Sequence, residues 1–208
     1  LIVGPEGIGK TRLLQESLAI AGEPFAYIES PEVLHQLLMR LAETLACPTG
    51  RLGSVCPATS ASLKARVLSA LRTSPRCLIL EDVARADARM YRFLQHVYYL
   101  PGVSLIVTSE SRESLGHLRK LLWDPREQIV LKPLTGRDAL SLFEAASANY
   151  RLESFDLDAF RCKVLTAARG NPGQILTMCR MAGRPEYQDG RHIKFLPLRM
   201  DTLTSFVP

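Results

Sequence analysis

The stretch Gly4-Pro5-Glu6-Gly7-Ile8-Gly9-Lys10-Thr11, entered from the apolar run Leu1-Ile2-Val3, decides the fold. It spells Gly, four residues, Gly, Lys, Thr, which is the phosphate-binding loop pattern in the strand-to-helix setting that the pattern needs. Glycine permits the tight path by which several backbone N–H groups converge on phosphate oxygens, and the helix that follows adds the positive end of its dipole. Lys10 is then expected to reach the β- and γ-phosphates, and the Thr11 hydroxyl to bind Mg²⁺. The candidate cradle comprises Gly4, Pro5, Glu6, Gly7, Ile8, Gly9, Lys10, Thr11 and Arg12. The plainer alternative is a Gly-rich turn that caps a helix.

Downstream, helical and extended patterns alternate. Leu13, Leu14 and Leu18 predict a helix over Thr11 to Ala21 that stops at Gly22, and Phe25 to Ile28 predicts a strand closed by Ser30-Pro31. Pro31 suits a first helical turn, and Leu34, Leu37, Leu38, Leu41 and Leu45 form one apolar stripe. Cys47 to Ser60, with two prolines and two glycines, reads as a long surface loop, after which Ser60 or Ser62 caps a helix carrying Leu63, Val67, Leu68 and Leu71. Cys77-Leu78-Ile79-Leu80 is a continuous apolar strand, as expected where helices cover both faces. A helix from about Asp87 to Leu100, the strand Val103 to Val107, a short helix from Ser111 to Leu122 and a strand near Gln128 to Leu131 follow. The fold class expected is α/β, a parallel sheet sandwiched by helices.

From Thr135 the pattern is helical only, over about Thr135 to Ala148, Asp156 to Ala168 and Pro172 to Met181. The expected organisation is an α/β core over residues 1–132, a small helical lid over 133–182 and a tail over 183–208. The tail shows little periodicity beyond a possible strand at Ile193 to Leu196, and Phe195, Leu198, Met200 and Phe206 make it a candidate partner-contact segment.

At 208 residues, 47% hydrophobic and 23% charged, the chain has the composition of a globular protein rather than a disordered one. Its five cysteines are scattered and never form a Cys-x-x-Cys pair, so neither a disulfide framework nor a zinc site is signalled, and a reducing cytoplasm is expected, or the nucleus of a eukaryote. No apolar run approaches the roughly 18 residues that span a bilayer, and no membrane association is indicated. The chain opens in a strand without an initiator Met, which leaves room for an upstream segment. A net charge of +5 permits an anionic partner such as DNA without requiring one.

A phosphate loop needs a metal partner and a group that activates water. Glu81 and Asp82 end an apolar strand, where ligands gather in open parallel sheets, and with Thr11 they form the candidate metal site. By position Glu81 is given the metal side and Asp82 the role of base, with the converse left open. Thr108 and Ser109 end the neighbouring strand, placed to sense the γ-phosphate or hold the water, or else they are ordinary turn formers. Lys10, Glu81, Asp82, Thr108 and Ser109 are thus the candidate catalytic set. His35, His96, His117 and His192 show no ligand spacing.

In order, Gly-Pro-Glu-Gly-Ile-Gly-Lys-Thr, Leu-Ile-Leu-Glu-Asp-Val-Ala-Arg-Ala-Asp, Leu-Pro-Gly-Val-Ser-Leu-Ile-Val-Thr-Ser, Leu-Lys-Pro-Leu and Arg-Gly-Asn-Pro-Gly-Gln-Ile-Leu resemble P-loop ATPase modules of the AAA+ and STAND superfamilies over about residues 1 to 182. The resemblance extends to ATP-binding modules of large LuxR-type regulators and, more loosely, to ATPases that assist transposition. It implies a helical lid whose Gly170-Asn171-Pro172 matches a Gly-x-Pro, with Pro172 against the adenine, and it matches Asp87 to the acidic residue closing the segment after the acidic pair. Three departures stand out. Glu110 follows Thr108-Ser109 where many STAND members carry arginine, Gly173 follows the proline where transposition ATPases often carry arginine, and the Asn-Lys-x-Asp of GTPases is absent, which favours ATP.

The functions implied are an ATP- and Mg²⁺-dependent assembly switch, homo-oligomeric or part of a larger assembly and acting with DNA; a signalling module of STAND type that controls an effector; or a nucleotide-binding scaffold with little turnover. Arg85, Arg89, Arg92, Arg112 and Arg119 are candidates to reach a neighbouring subunit's phosphate, Arg112 and Arg119 favoured by position, against solvated helix faces as the alternative.

Overall fold

The structure is a computed structural model that describes residues 1–22, 24–31, 33–46 and 59–205. The loop expected over Cys47 to Ser60 lies, as far as Ala58, outside the described residues, as does Phe206. Two compact units divide the chain: Leu1–Pro5 with Lys10–Leu131, and Glu6–Gly9 with Lys132–Pro208.

The first unit is built on a sheet of β1 (Ile2–Val3), β2 (Phe25–Glu29), β3 (Cys77–Glu81), β4 (Ser104–Ser109) and β5 (Ile129–Val130). All neighbours run parallel, in the order β2-β3-β4-β1-β5. The helices are α1 (Lys10–Ala21), α2 (Leu34–Thr44), α3 (Ser60–Thr73) and α4 (Ala88–Tyr98). Alternation along β3 sends Leu78 and Leu80 into the main core with Leu37, Leu41, Val67 and Phe93, while Ile79 joins Ile2 and Leu14 of α1 in a smaller cluster on the other face. Burial on both faces is why β3 reads as an unbroken apolar run.

Local expectations shift at three places. Helix α2 begins at Leu34 after an extended Val33, so Pro31 precedes it, and Thr59 caps α3, its side chain accepting from the Ser62 N–H at 3.2 Å. The helix expected over Ser111 to Leu122 is two short 3₁₀ turns, Glu113–Leu115 and His117–Lys120. Gly116 separates them at φ +59°, bridged to Ala86 so closely that a Cβ would lie 2.7 Å from the Ala86 carbonyl oxygen. No continuous helix can pass through that conformation.

The second unit packs α5 (Gly136–Asn149), α6 (Leu157–Ala168) and α7 (Pro172–Ala182) around Phe143, Phe160, Val164, Ile175 and Met178. Tyr187, Ile193, Phe195 and Leu198, beyond residue 182, belong to the same core. A hairpin of β6 (Gln188–Asp189) and β7 (His192–Ile193) leads into α8 (Phe195–Ser205), and the strand expected over Ile193 to Leu196 ends at Ile193. Pro197 falls in the first turn of α8, where its missing N–H costs no helical bond. Leu198 is fully buried, and the Tyr187 hydroxyl donates to Asp201 Oδ2 at 2.6 Å. Leu196, Met200 and Leu203 line the opposite, exposed side of α8. Among the described residues no helix is long and apolar enough to cross a membrane.

Candidate active site

Strand register collects the candidate groups of the first unit at the carboxyl end of the sheet. Ile2 lies beside Thr108 and Val3 beside Ser109, while Leu80 is level with Val107, so β1, β3 and β4 end within about a residue of one another. The loop leaves β1 with the Gly4 N–H donating to the Ser109 carbonyl at 3.2 Å. Gly7 and Gly9 hold φ +73° and +103°, conformations that only glycine adopts without strain.

Lys10 and Thr11 open α1, whose first-turn N–H groups have no helical acceptor and favour an anion. Lys10 is only 7% exposed. Its Nζ donates to the Gly4 carbonyl at 3.0 Å and the Pro5 carbonyl at 3.3 Å, and stands 3.7 Å from Asp82 Oδ1. The Thr11 hydroxyl donates to Glu81 Oε1. Arg12 spends its guanidinium on Glu16 at 2.6 Å, which leaves its first-turn N–H as the group open to an anion.

Glu81 is buried and Asp82 is 54% exposed. Asp82 sits at φ +48°, a left-handed conformation costly for a residue with a Cβ. Strand β4 holds it there. The Asp82 N–H donates to Thr108 Oγ1 at 3.0 Å, the Val83 N–H to the Thr108 carbonyl at 3.0 Å, and Ser109 Oγ donates to the Val83 carbonyl at 2.8 Å. Ser114 supports Ser109, their hydroxyls 2.7 Å apart, and the Arg85 N–H donates to the Ser114 carbonyl. Thr108 and Ser109 are fully buried, and their side-chain partners lie in the acidic turn and at Ser114. Asp87 closes the segment by capping α4, accepting from the Met90 N–H at 2.7 Å. Ser114 and Gly116 were missed from the sequence, where nothing but the glycine itself hinted that residues 111–117 brace the acidic turn.

Among the described residues no three His, Cys, Asp or Glu side chains cluster as a metal cage. A hydroxyl with one or two carboxylates is nonetheless the donor set that Mg²⁺ uses when phosphates and waters complete its octahedron. Thr11 and Glu81 fit that set. The first unit also carries two surface features. An open apolar groove of about 520 Å³ runs from Thr11 past Leu18, Phe25 and Tyr27, and a depression of about 440 Å³ is lined by Arg112, Glu113, Arg119 and Lys120. Arg85, Arg89, Arg92, Arg112 and Arg119 are all exposed.

In the second unit the loop segment Glu6–Gly9 meets the start of α7. Asn171 caps that helix, accepting from the Gln174 N–H at 3.1 Å, and its Nδ2 donates to the Glu6 carbonyl at 2.8 Å. The Gly173 N–H donates to the Gly7 carbonyl at 2.8 Å. A Cβ on Gly173 would lie 2.7 Å from Gly7 Cα and 2.9 Å from its oxygen, which gives a steric reason for glycine where some ATPases carry arginine. Pro172 takes the first helical position and is half-buried.

A parallel sheet of this strand order, with a Gly-x₄-Gly-Lys-Thr loop between β1 and α1 and an acidic pair ending β3, is the P-loop NTPase fold. Similarity to solved structures narrows it: the chain has the fold of AAA+/STAND-type P-loop ATPase modules. Cdc6p from Pyrobaculum aerophilum superposes with a TM-score of 0.68 at 15% identity, covering 92% of this chain and 56% of that one. The Aeropyrum pernix ORC1 protein, solved in complex with DNA, gives 0.59 at 17% identity over 98% of this chain and 58% of that one. A signal transduction ATPase with numerous domains (STAND) and a tetratricopeptide repeat sensor, from Pyrococcus horikoshii, gives 0.55 at 16% identity over 100% and 30%. The chain thus spans little more than half the length of the first two. No protein-family profile and no curated protein matches it in sequence.

Proposed function

We propose that this chain binds ATP with Mg²⁺ and hydrolyses it slowly, as the nucleotide-dependent switch of a larger assembly. The observation that carries it is the set Lys10, Thr11, Glu81 and Asp82: a buried ammonium 3.7 Å from one carboxylate, and a hydroxyl bonded to the other, at the end of a parallel sheet. The backbone from Gly4 to Arg12 cradles the phosphates, Lys10 turns from the Gly4 and Pro5 carbonyls to the β- and γ-oxygens, and Thr11 and Glu81 hold the metal. Mg²⁺ supplies charge neutralisation across the phosphates. Asp82 orients and deprotonates the attacking water, while Thr108 and Ser109 act on it through the turn they hold. Pro172 lies against the adenine.

Slow turnover is supported by Glu110 and Gly173, which stand where related ATPases carry arginine. An arginine from a second copy, Arg112 or Arg119 first, completes the site in an oligomer, and the exposed stripe of α8 offers a contact to a partner subunit. DNA as the partner is supported by the net charge of +5 and by likeness to a protein solved with DNA; control of an effector, by likeness to a STAND protein.

ATPase rate and particle size, measured together with and without duplex DNA, test the proposal. Lys10→Ala is expected to abolish ATP binding while far-UV circular dichroism stays that of wild type. Equal turnover by the two proteins sinks the catalytic part, and indifference of ATP-loaded protein to DNA at low salt removes the DNA partner.

A further inference from the structure

Four consecutive carbonyls of the phosphate loop each have a hydrogen-bond donor. Lys10 Nζ serves Gly4 and Pro5, while Asn171 Nδ2 serves Glu6 and the Gly173 N–H serves Gly7. Turning the N–H groups of such a loop inward, toward phosphate, turns its carbonyls outward, where each needs a partner. Two of the four bonds come from the Lys10 ammonium. The other two come from the N-cap and first turn of α7, a helix anchored by the fully buried Ile175, Met178 and Cys179.

We propose that Asn171 and Gly173 are positioning residues of the phosphate loop, which set nucleotide affinity by holding the Glu6 and Gly7 carbonyls from outside. When Lys10 leaves Gly4 and Pro5 for a phosphate, these two bonds keep the shape of the loop. Gly173 makes the approach possible, because any side chain there collides with Gly7. Asn171 is suited because it offers both halves of an amide: Oδ1 caps α7 while Nδ2 holds Glu6. Neither residue carries charge, so the pair cannot favour a γ-phosphate by attraction and acts on ATP and ADP alike. The inference deepens the proposed ATP binding and rests on it.

Asn171→Ser separates the two tasks, since serine still caps a helix but is too short to reach Glu6. Its thermal midpoint is expected to match wild type, while calorimetric affinity for ATP and for ADP falls by the same factor, about 5- to 10-fold for one lost hydrogen bond. Without nucleotide, hydrogen exchange at Gly7 to Lys10 is expected to quicken in this variant and more so in Gly173→Ala. Unchanged affinity and exchange in Asn171→Ser overturns the proposal, and so does an affinity loss that merely tracks a fall in the midpoint. Should wild type bind neither nucleotide, the ATP reading fails, and faster loop exchange in the variant still establishes the positioning contact where unchanged exchange refutes it.

Discussion

The acidic turn at Asp82 and the loop segment Glu6–Gly9 are both backbones in demanding conformations, and they are held by opposite means. Asp82 occupies left-handed space despite its Cβ, and buried hydroxyls from β4 fasten it there. The loop segment uses glycines, at φ +73° and +103°, and its outside contact is made by a residue with no side chain together with one amide. Strain held by buried bonds makes a rigid turn that tolerates no loosening. A glycine loop held at two carbonyls stays deformable, which suits the proposed closing around phosphate. The turn should therefore fail by losing stability and chemistry, and the loop by losing affinity.

Asp82→Asn probes the turn at its chemistry. Asparagine accepts left-handed backbone readily, so the turn survives while the proposed base is lost. Turnover is expected to fall about 10²- to 10⁴-fold with ATP affinity retained, measured as single-turnover rate against calorimetric binding. A variant that still turns over at the wild-type rate would make Asp82 a spectator.

Thr108→Val probes the clamp, keeping the bulk of the side chain but stranding the Asp82 N–H. The loss is expected at about 1–3 kcal/mol in urea unfolding, with kcat reduced and KM little changed. Ser109→Ala leaves the Val83 carbonyl short of one donor and should cost less, about 1 kcal/mol. If either lowers nucleotide affinity as much as Asn171→Ser does, the contrast between turn and loop collapses.

The smallest effect concerns the second unit alone. The bond to Asp201, with burial and Glu186 nearby, pushes the pKa of Tyr187 from the ordinary 10 up to about 12. A raised folded-state value gives stability that is complete below pH 10 and is lost as pH climbs through about 12. Denaturant midpoints are expected to decline across that window in wild type and to decline less in Tyr187→Phe. Cys179, whose buried thiol is pushed up to about 11, should resist alkylation throughout the neutral range while exposed Cys162 reacts.

Sequence alone determined what depends on neighbours along the chain. The loop motif, the apolar run of β3, the stripe of α2 and the alternation of strands and helices are local patterns imposed by period and by glycine geometry, and the five-strand parallel sheet follows from them. It also singled out Lys10, Thr11, Glu81 and Asp82 as the candidate site, because few residue types suit that chemistry. Tertiary structure decided which partners the polar groups find. Thr108 and Ser109 look like free hydroxyls at a strand end, yet burial obliges them to bond, and besides Ser114 their partners are the backbone of residues 82 and 83, 26 positions away. Gly116 reads as a helix residue until Ala86 lies against it, and α8 shows no period because one side packs on Tyr187 while the other stays apolar and exposed. Gly173 reads as a missing arginine until Gly7 is placed against it. Hydrogen-bond satisfaction and steric exclusion act through space, and no pattern along the chain encodes a neighbour more than 160 residues distant.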